Sequence, residues 1–337
     1  MDIMWRLLCI LLFIGGGRLC AQDLQYSQFF ANQLDLNPAF AGSQQYHRII
    51  MNYRNQWPEM GNPYVTYSFS FDTHLYKWNS GVGVRIEQDR QGAGALKTLT
   101  VSGMYSYLVK IRPEDAGLRF AVGASMIQNS LDMSKLEFPD MIDPIYGSIY
   151  PHNPADDPQK YKKVTCDFSA GVLGFFGPYH FGASVQHIGE PSLAFGSDAH
   201  LPMKYTVHAG MEIGVRSGKM FGLHWPVKLT INPLLMYQKQ SVHQQMNYGA
   251  YCTYGDFIAG AWYRQNFDRP LSAMLFMVGY DTKYFRVAYS FDWTISKLET
   301  VGNGAHEVSF MFLFWNSTKK KYKAIPCPSF YGKNGFS

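Results

Sequence analysis

The sequence predicts an all-β fold: a transmembrane antiparallel β-barrel of about 14 strands. Three observations predict it. Segments of about ten residues alternate apolar side chains with polar or small ones, which is the period of a strand. The number of such segments is even, as a barrel with both ends on one side of the membrane requires. The longest connections follow odd-numbered segments, so they fall at the same end of the barrel.

The alternation is clearest in the segments 65–72, with the sequence VTYSFSFD, and 284–293, with the sequence YFRVAYSFDW. A soluble β-sandwich would also alternate, but its strands average about five or six residues. Strands of about ten residues cross a bilayer when they are tilted. The face opposite the large apolar residues carries Gly, Ala, Ser, Thr and charged residues, which predicts a hydrated lumen lining.

Fourteen strands follow from this pattern. In chain order they are predicted at 47–56, 64–74, 80–90, 95–110, 117–128, 163–176, 179–188, 203–216, 226–237, 244–254, 257–266, 270–281, 284–295 and 305–315. Aromatic residues near strand ends predict the girdles that lie at the lipid headgroups. They are Trp57, Trp225, Tyr237, Tyr254, Trp293 and Trp315.

The connections predict the orientation. With the N-terminus in the periplasm, connections after even-numbered strands are periplasmic and should be short. Gly177-Pro178 and Gly255-Asp256 fit this expectation. The long connections 129–162 and 189–202 follow strands five and seven, so they are predicted to be extracellular.

The two termini lie outside the predicted barrel, residues 47–315. Residues 1–21 combine an Arg before a short apolar core with a small residue at Ala21, which predicts a secretory signal peptide cleaved after Ala21. Lipoprotein processing at Cys20 is the less favoured alternative. Residues 22–46 are predicted to lie in the periplasm or to fold into the lumen. Residues 316–337 form a basic tail on the periplasmic side.

Composition argues against several function classes. Charged residues make up 16% of the chain and the net charge is +5, without a basic cluster that would indicate nucleic-acid binding. The mature cysteines, Cys166, Cys252 and Cys327, are odd in number and widely spaced, so neither a disulfide framework nor a metal site is expected. We expect no cofactor. Four loop carboxylates are interpreted as solvated, with a weak cation site as the alternative: Asp140, Asp143, Asp156 and Asp157.

Several charged residues are predicted to point into the lumen. Arg48 and Arg54 are separated by an even number of residues, so both can share one face of the first strand. The other charged residues assigned to the lumen are Asp72, Arg85, Glu87 and Glu212. Mutual pairing is the structural interpretation, and a channel lining or ligand site is the alternative.

The N-terminal motifs also carry a family resemblance. LNPAFAG at 36–42, YRNQWP at 53–58, YVTYSFSFD at 64–72 and GVGVRIEQDRQGAG at 81–94 together resemble the PorP/SprF family of type IX secretion system membrane proteins. The resemblance extends from about Gln25 to the end of the chain. The motif positions that can be mapped are Asn37, Pro38, Gly42, Tyr53, Arg54, Asn55, Gln56 and Trp57.

The resemblance implies a non-enzymatic outer-membrane barrel of Bacteroidetes-type bacteria that supports protein export, gliding motility or adhesin display. The implied partners are outer-membrane lipid, a periplasmic ring lipoprotein with its associated secretion proteins, and cargo or adhesins. The basic tail is a candidate docking peptide, and a disordered tail is the alternative. Its candidate docking residues are Lys319, Lys320, Lys321, Cys327, Pro328 and Phe330.

Two other functions remain open at this point. A 14-stranded outer-membrane solute channel would use the same strand pattern and predicts a plug made from residues 22–46. An outer-membrane enzyme would need a catalytic cluster at one membrane depth. The best pair for such an enzyme is Ser184 and His208 on adjoining strands.

Overall fold

A computed structural model gives the fold of the chain. The structure describes residues 23–44, 46–92, 95–112, 116–135, 142–143, 147–148, 160–193, 195, 200–216, 228–268, 272–295 and 304–314. The strands are β1 (His47–Gln56), β2 (Tyr64–Leu75), β3 (Ser80–Gln91), β4 (Leu96–Arg112), β5 (Ala116–Asp132), β6 (Ile142–Asp143), β7 (Gly147–Ser148), β8 (Lys160–Phe176), β9 (Tyr179–Gln186), β10 (Lys204–Met211), β11 (Ile213–Arg216), β12 (Lys228–Gln240), β13 (His243–Tyr254), β14 (Phe257–Asn266), β15 (Ala273–Asp281), β16 (Phe285–Thr294) and β17 (Ala305–Phe314).

The sheet is antiparallel and closes on itself. The first strand, β1, pairs with the last, β17, from His47 opposite Phe314 to Gln56 opposite Ala305. Both β10 and β11 pair with β12, so they are two parts of one barrel strand, and the barrel has fourteen strands. The small β6–β7 hairpin is separate. The predicted fold class is therefore confirmed.

The interruption between β10 and β11 has a local cause in the neighbouring strand. The ladder is regular at Gly210 opposite Leu234 and again at Ile213 opposite Ile231. Pro233 lies between these points, and proline has no N–H to donate to a ladder. The pairing is therefore lost for a short stretch and then resumes in the same register.

Strands β5 and β8 extend further than their alternation predicts. Each has 17 residues, and they pair without interruption from Ala116 opposite Phe176 to Asp132 opposite Lys160. The fifth predicted strand ended at residue 128, and the sixth began at residue 163. Beyond those points the outer face carries polar residues, such as Ser130 and Asp132, because the strands continue past the apolar layer. The hydrophobic pattern ends there although the backbone pairing does not.

The two ends of the barrel differ in their connections. Gly177 and Gly255, with φ of 53° and 61°, form tight turns at the short-turn end. The connections from β5 to β8 and from β9 to β10 lie at the opposite, long-loop end. In outer-membrane barrels these ends are periplasmic and extracellular, respectively. Two connections depart from this rule: Ser241-Val242 is short at the long-loop end, and at the short-turn end eleven residues separate the end of β11 at Arg216 from the start of β12 at Lys228.

The outer face of the barrel is apolar and exposed. Val122, Phe181 and Val278 are 61%, 55% and 60% exposed, respectively. Such a surface is suited to lipid rather than water. Of the predicted girdle residues, Tyr254 and Trp293 are exposed and Tyr237 and Trp57 are half-buried, whereas Trp225 and Trp315 lie outside the described residues.

The main hydrophobic core lies inside the barrel. Residues 23–44, which we call the plug, include a one-turn helix α1 (Gln33–Leu36) and a 3₁₀ turn (Pro38–Phe40). Apolar plug residues such as Phe30 and Leu34 pack with inward-facing barrel residues such as Trp262. The predicted hydrated lining is therefore wrong for this part of the lumen. No described helix is long and apolar enough to cross a membrane.

Candidate functional site: the plug and the mouth of the lumen

The plug crosses the lumen from one end to the other. At the long-loop end, the Asp23 backbone N–H donates to Gln240 Oε1 at 3.2 Å, at the end of β12. At the short-turn end, the Gly42 backbone N–H donates to Asp72 Oδ2 at 2.9 Å. Sequence alone left periplasmic and lumenal positions open for this segment, and the structure places residues 23–44 in the lumen.

The first plug residue, Asp23, is held by two cationic side chains. Asp23 Oδ2 lies 2.7 Å from His187 Nε2 and 3.4 Å from Lys204 Nζ, while His187 Nδ1 donates to Asp167 at 2.9 Å. Burial by itself would lower the pKa of His187, but the two carboxylates outweigh it and raise that pKa to about 9. Burial would likewise raise the pKa of Asp23, but Lys204 and His187 hold it well below its usual value. This contact therefore consists of charged groups at neutral pH.

A second set of contacts holds the middle of the plug to β3. The Tyr26 hydroxyl donates to Glu87 Oε2 at 2.5 Å. Arg85 forms ion pairs with Asp35 of the plug and with Glu87, the latter at 3.1 Å. Because Asp35 belongs to the plug and Glu87 to the wall, one arginine joins the two.

The arginine of YRNQWP anchors the plug to the far side of the barrel. Arg54 is 2% exposed and lies 3.3 Å from both Glu307 and Asp292. Arg264 contacts Asp292 at 2.9 Å. Glu307 Oε2 also accepts the backbone N–H of Ser27 at 2.7 Å, and Arg54 donates to the Ser27 hydroxyl. This network joins β1, β14, β16 and β17 to one turn of the plug.

The predicted lumenal charges do pair with one another. Arg48 Nε lies 2.7 Å from Asp72 Oδ1, and Arg48 also donates to Gln33 of the plug. The structural interpretation is therefore confirmed for five of the six predicted residues, Arg48, Arg54, Asp72, Arg85 and Glu87. The sixth, Glu212, lies at the interruption between β10 and β11, where its backbone N–H donates to Pro178 O at 3.0 Å.

Asn37 fixes the lower part of the plug. Its side-chain oxygen accepts the Ala39 N–H at 2.9 Å, which caps the 3₁₀ turn. Its amide nitrogen lies 3.0 and 3.2 Å from the carbonyl oxygens of Val172 and Ala183. A Cβ atom at Gly171 would lie 2.1 Å from Asn37 Oδ1, so only glycine leaves room for this side chain. Gly182 has the same effect, because its Cβ would lie 2.9 Å from Asn37 Nδ2.

Gly42 ends the plug and needs to be glycine for two reasons. Its φ is +61°, in the left-handed region that glycine adopts without steric cost. A Cβ atom there would lie 2.5 Å from Thr73 O and 2.6 Å from Gly81 Cα. A Cβ at Gly81 would in turn lie 2.1 Å from Ala41 O. The LNPAFAG motif and the GVG of β3 are therefore complementary in shape.

The remaining motif residues divide between the two faces of β1. Tyr53 is on the outer face, with its ring 5.3 Å from that of Tyr67. Gln56 faces inward and accepts from Arg54 at 3.4 Å, while Asn55 is half-buried. Trp57 has a φ of 56°, and its backbone N–H donates to Gly304 O at 2.8 Å. Pro38 is buried as the first residue of the 3₁₀ turn.

The pair predicted for an enzyme does not form. The cross-strand partner of Ser184 is Thr206, and His208 lies opposite Gly182. The Ser184 hydroxyl donates to the Leu36 carbonyl at 2.8 Å, while His208 Nε2 lies 3.2 Å from Asn37 Nδ2. Both side chains therefore hold the plug.

Sequence reasoning missed the inward-facing residues that receive the plug. The glycines at 81, 171 and 182 and the hydroxyls of Ser106 and Ser184 are among them. Glycine at alternate inward positions was the available signal, because a strand interior loses stability at Gly unless another backbone approaches.

Some predicted residues cannot be placed. The candidate docking residues lie outside the described residues, as do Cys327 and three of the four loop carboxylates. The fourth, Asp143, belongs to β6. Cys166 and Cys252 are exposed free thiols on the outer face.

An open cavity of about 610 Å³ lies above the plug at the long-loop end. Its floor is Asp23–Gln25, and strand ends form its walls. Carboxamide side chains are frequent in the lining. They include Gln56, Gln91, Gln238, Gln240, Gln245 and Asn266. A smaller cavity of about 270 Å³ lies between the plug and β3–β5.

These features define a plugged, fourteen-stranded outer-membrane β-barrel. The family model described as "Type IX secretion system membrane protein PorP/SprF" matches residues 19–312, and the chain belongs to that family. The predicted family is confirmed. No curated protein sequence matches the chain.

Solved structures with a similar fold are distant. The CymD monoaromatic hydrocarbon channel is 12% identical with a TM-score of 0.44, over 85% of this chain and 93% of that chain. The translocator domain of the autotransporter NalP from Neisseria meningitidis is 11% identical with a TM-score of 0.36, over 85% and 92% of the two chains. BamA from Haemophilus ducreyi lacking POTRA domains 1-3 is 10% identical with a TM-score of 0.36, over 80% and 70%. These values are too low to indicate a shared function.

Proposed function

We propose that the chain is a non-enzymatic, non-conducting outer-membrane component of the type IX secretion system that anchors periplasmic ring and motor-linked proteins. The observation that carries this proposal is the plug. It occupies the lumen along its length and is held at both ends by hydrogen bonds to barrel side chains. The surfaces left for partners are therefore the two rims of the barrel and its outer face.

The basic tail is the proposed docking element at the short-turn end. β17 ends there, with Phe314 opposite His47, so the chain that follows starts at the periplasmic rim. Lys319, Lys320 and Lys321 would meet an acidic partner, and Cys327, Pro328 and Phe330 would form an anchor. The N-terminal segment is not part of this element, because residues 23–44 are in the lumen.

The long-loop end is the proposed contact for cargo or surface adhesins. Strands β5 and β8 pair as far as Asp132 and Lys160, level with the start of β4 at Leu96 and well above the end of β9 at Gln186. This extension forms a wall on one side of the mouth. An exported protein held at the cell surface would meet that wall and the adjoining connections first.

A solute channel remains the second candidate, because it also predicts an N-terminal plug. Transport would require the plug to leave its ion pairs and glycine contacts. Conductance in planar bilayers separates the two functions. We expect the full chain to show no stable conductance, whereas a variant lacking residues 23–44 conducts.

A pull-down from detergent-solubilised outer membrane tests the anchor directly. The full chain is compared with a version truncated after Trp315 and with a Lys319→Gln/Lys320→Gln/Lys321→Gln variant. We expect periplasmic ring proteins to accompany the full chain, to be lost on truncation and to be reduced in the triple variant. Recovery of the barrel without partners from every sample would contradict the anchor function.

Signal-peptide cleavage after Ala21 is also part of the proposal. The mass of the purified intact chain tests it, since Gln22 would then be the first residue. A mass that includes lipid on Cys20 would replace this assignment with lipoprotein processing.

A further inference from the structure

The cavity at the mouth of the lumen has the size of a ligand site. Its volume of about 610 Å³ is within the range of small-molecule pockets, about 300–1,000 Å³. It is open toward the long-loop end, and the first plug residues close it below. Neither the anchor function nor the channel alternative uses it.

The charged residues of this cavity already have partners: Asp89 accepts hydrogen bonds from Thr66 and Gln91, and the others pair as follows. Arg54 and Arg264 contact Asp292 at 3.3 and 2.9 Å. Lys204 lies 3.4 Å from Asp23, and His243 Nδ1 lies 2.5 Å from Asp268 Oδ2. Because these charged groups have partners beside them and Asp89 is hydrogen-bonded by two neighbours, the cavity favours a neutral ligand.

The carboxamides supply the hydrogen-bonding capacity that remains. A carboxamide offers two donor and two acceptor positions. Gln91 donates to Asp89 at 2.7 Å and Gln238 donates to Thr206 at 3.4 Å, which uses one side of each amide. Gln245 is only 4% exposed, and its Oε1 has no hydrogen-bond partner among the described residues. Gln91 and Gln238 are half-buried in the lining, so the free side of each amide is the part that can meet a ligand.

Two aromatic rings complete the lining. Trp57 and Tyr64 both line the cavity, with ring centroids 5.4 Å apart in an edge-to-face arrangement. Trp57 has a φ of 56°, which is an outlier for so bulky a residue. Strained backbone of this kind concentrates at ligand-binding positions, where the surrounding structure holds it. Here the bond from Trp57 N–H to Gly304 O holds it.

We infer that this cavity binds a neutral saccharide, such as the end of a glycan chain. Sugar hydroxyls both donate and accept hydrogen bonds, as carboxamides do, and the C–H faces of sugar rings are apolar and pack against aromatic side chains. A neutral ligand also matches a cavity whose charged side chains already have partners. The long-loop end faces the cell exterior under the barrel rule, where saccharide is abundant. The inference does not depend on the secretion role.

Two sources share this chemistry, the glycan of the surrounding lipopolysaccharide and a free oligosaccharide. The test uses the full chain in lipid nanodiscs and isothermal titration calorimetry. The probes are neutral hexasaccharides of glucose and mannose, and the neutral outer glycan of lipopolysaccharide from the same membrane, separated from its lipid and its anionic inner core. Tighter binding of the delipidated glycan identifies the lipopolysaccharide source, and tighter binding of a hexasaccharide identifies the free source. Either result supports the inference.

Matched variants locate the site. Gln91→Ala/Gln238→Ala removes two amides from the cavity, while Gln88→Ala/Gln265→Ala removes two from the outer face of the barrel. Loss of the hydrogen bonds predicts affinity about tenfold weaker for the cavity variant and unchanged affinity for the control. If no probe binds at about 10 mM, any affinity is too weak for a preformed ligand site, and the inference is overturned. Equal affinity in the two variants also overturns it.

Discussion

The upper and lower halves of the plug are held by different chemistry. The upper half, residues 23–35, meets the barrel through the packing of Phe30 on Trp262 and through charged groups, as in the contact of Asp23 with His187 and that of Asp35 with Arg85. The lower half, residues 36–44, meets it through backbone groups and glycine. Ser184 and Ser106 donate to plug carbonyls at 2.8 and 2.6 Å.

The two halves are therefore released from the barrel by different changes. Charge pairs weaken when pH or a substitution removes one partner, because the remaining buried charge is left uncompensated. Contacts set by shape fail only when a side chain is added or a cap is removed. A change in pH can therefore loosen the upper half of the plug, whereas the lower half is loosened only by a substitution.

The largest effect is expected from Arg54→Met in the upper half. The change leaves Glu307 buried at 0% exposure without its cation, whereas Asp292 retains Arg264. Breaking a buried ion pair on one side costs about 3–5 kcal/mol. The free energy of unfolding in detergent micelles, measured by urea titration, checks this value.

A double variant sharpens the same test. Arg54→Met/Glu307→Gln removes both charges, while the amide carbonyl introduced at position 307 can still accept from the plug backbone. We expect it to be more stable than Arg54→Met alone, because no unpaired charge remains. Arg90→Gln is the exposed control, with an expected loss below about 0.5 kcal/mol. Equal losses for Arg54→Met and Arg90→Gln would show that the network does not hold the plug.

Gly42→Ala is expected to have the next largest effect and acts on the lower half. The added Cβ meets Thr73 O at 2.5 Å, in addition to the cost of a left-handed φ of +61°. We expect a loss of about 3 kcal/mol. Gly92→Ala is the matched control, since its φ is +59° but nothing lies within 4 Å of its Cβ. It should lose only about 1 kcal/mol, and an equal loss at both sites would rule out the close fit of the plug.

Asn37→Ala tests the cap of the lower half. The change removes the bond to Ala39 N–H and the amide donor near Val172 and Ala183, for an expected loss of about 2 kcal/mol. Asn52→Ala is the control, because both polar atoms of the buried Asn52 amide have no partner in the described structure. The Asn52→Ala substitution should leave the midpoint of thermal unfolding unchanged or raise it. A larger loss at Asn52 than at Asn37 would contradict the assigned cap.

The sequence predicted the wall of the barrel far better than its contents. Alternation locates each lipid-facing strand, because lipid requires an unbroken apolar face, as in 65–72. The plug has no such period. Its contacts join residues as distant in sequence as Ser27 and Glu307, and Asn37 and Val172. Family motifs marked Asn37 and Arg54, yet only the folded lumen shows that one caps the plug and the other anchors it.

The smallest expected effect is a pH-dependent release of the upper end. The pKa of His187 is raised to about 9 from an ordinary value of about 6.5. Its pairing with Asp23 and Asp167 therefore stabilises fully below about pH 6.5, and that stability is lost as pH rises through about 9. We expect about 2 kcal/mol of local stability to disappear between about pH 7 and about pH 10.

Nitroxide labels at Leu24→Cys and at the half-buried Gln44→Cys report the two halves separately, in a chain whose native cysteines are replaced by serine. Mobility at position 24 should rise with a midpoint near pH 9, while position 44 stays unchanged, because its neighbours are held by backbone contacts and close-fitting glycines. His187→Gln should abolish the transition at position 24. Parallel transitions at both positions would mean that the plug is released as one unit and that its two halves are not independent.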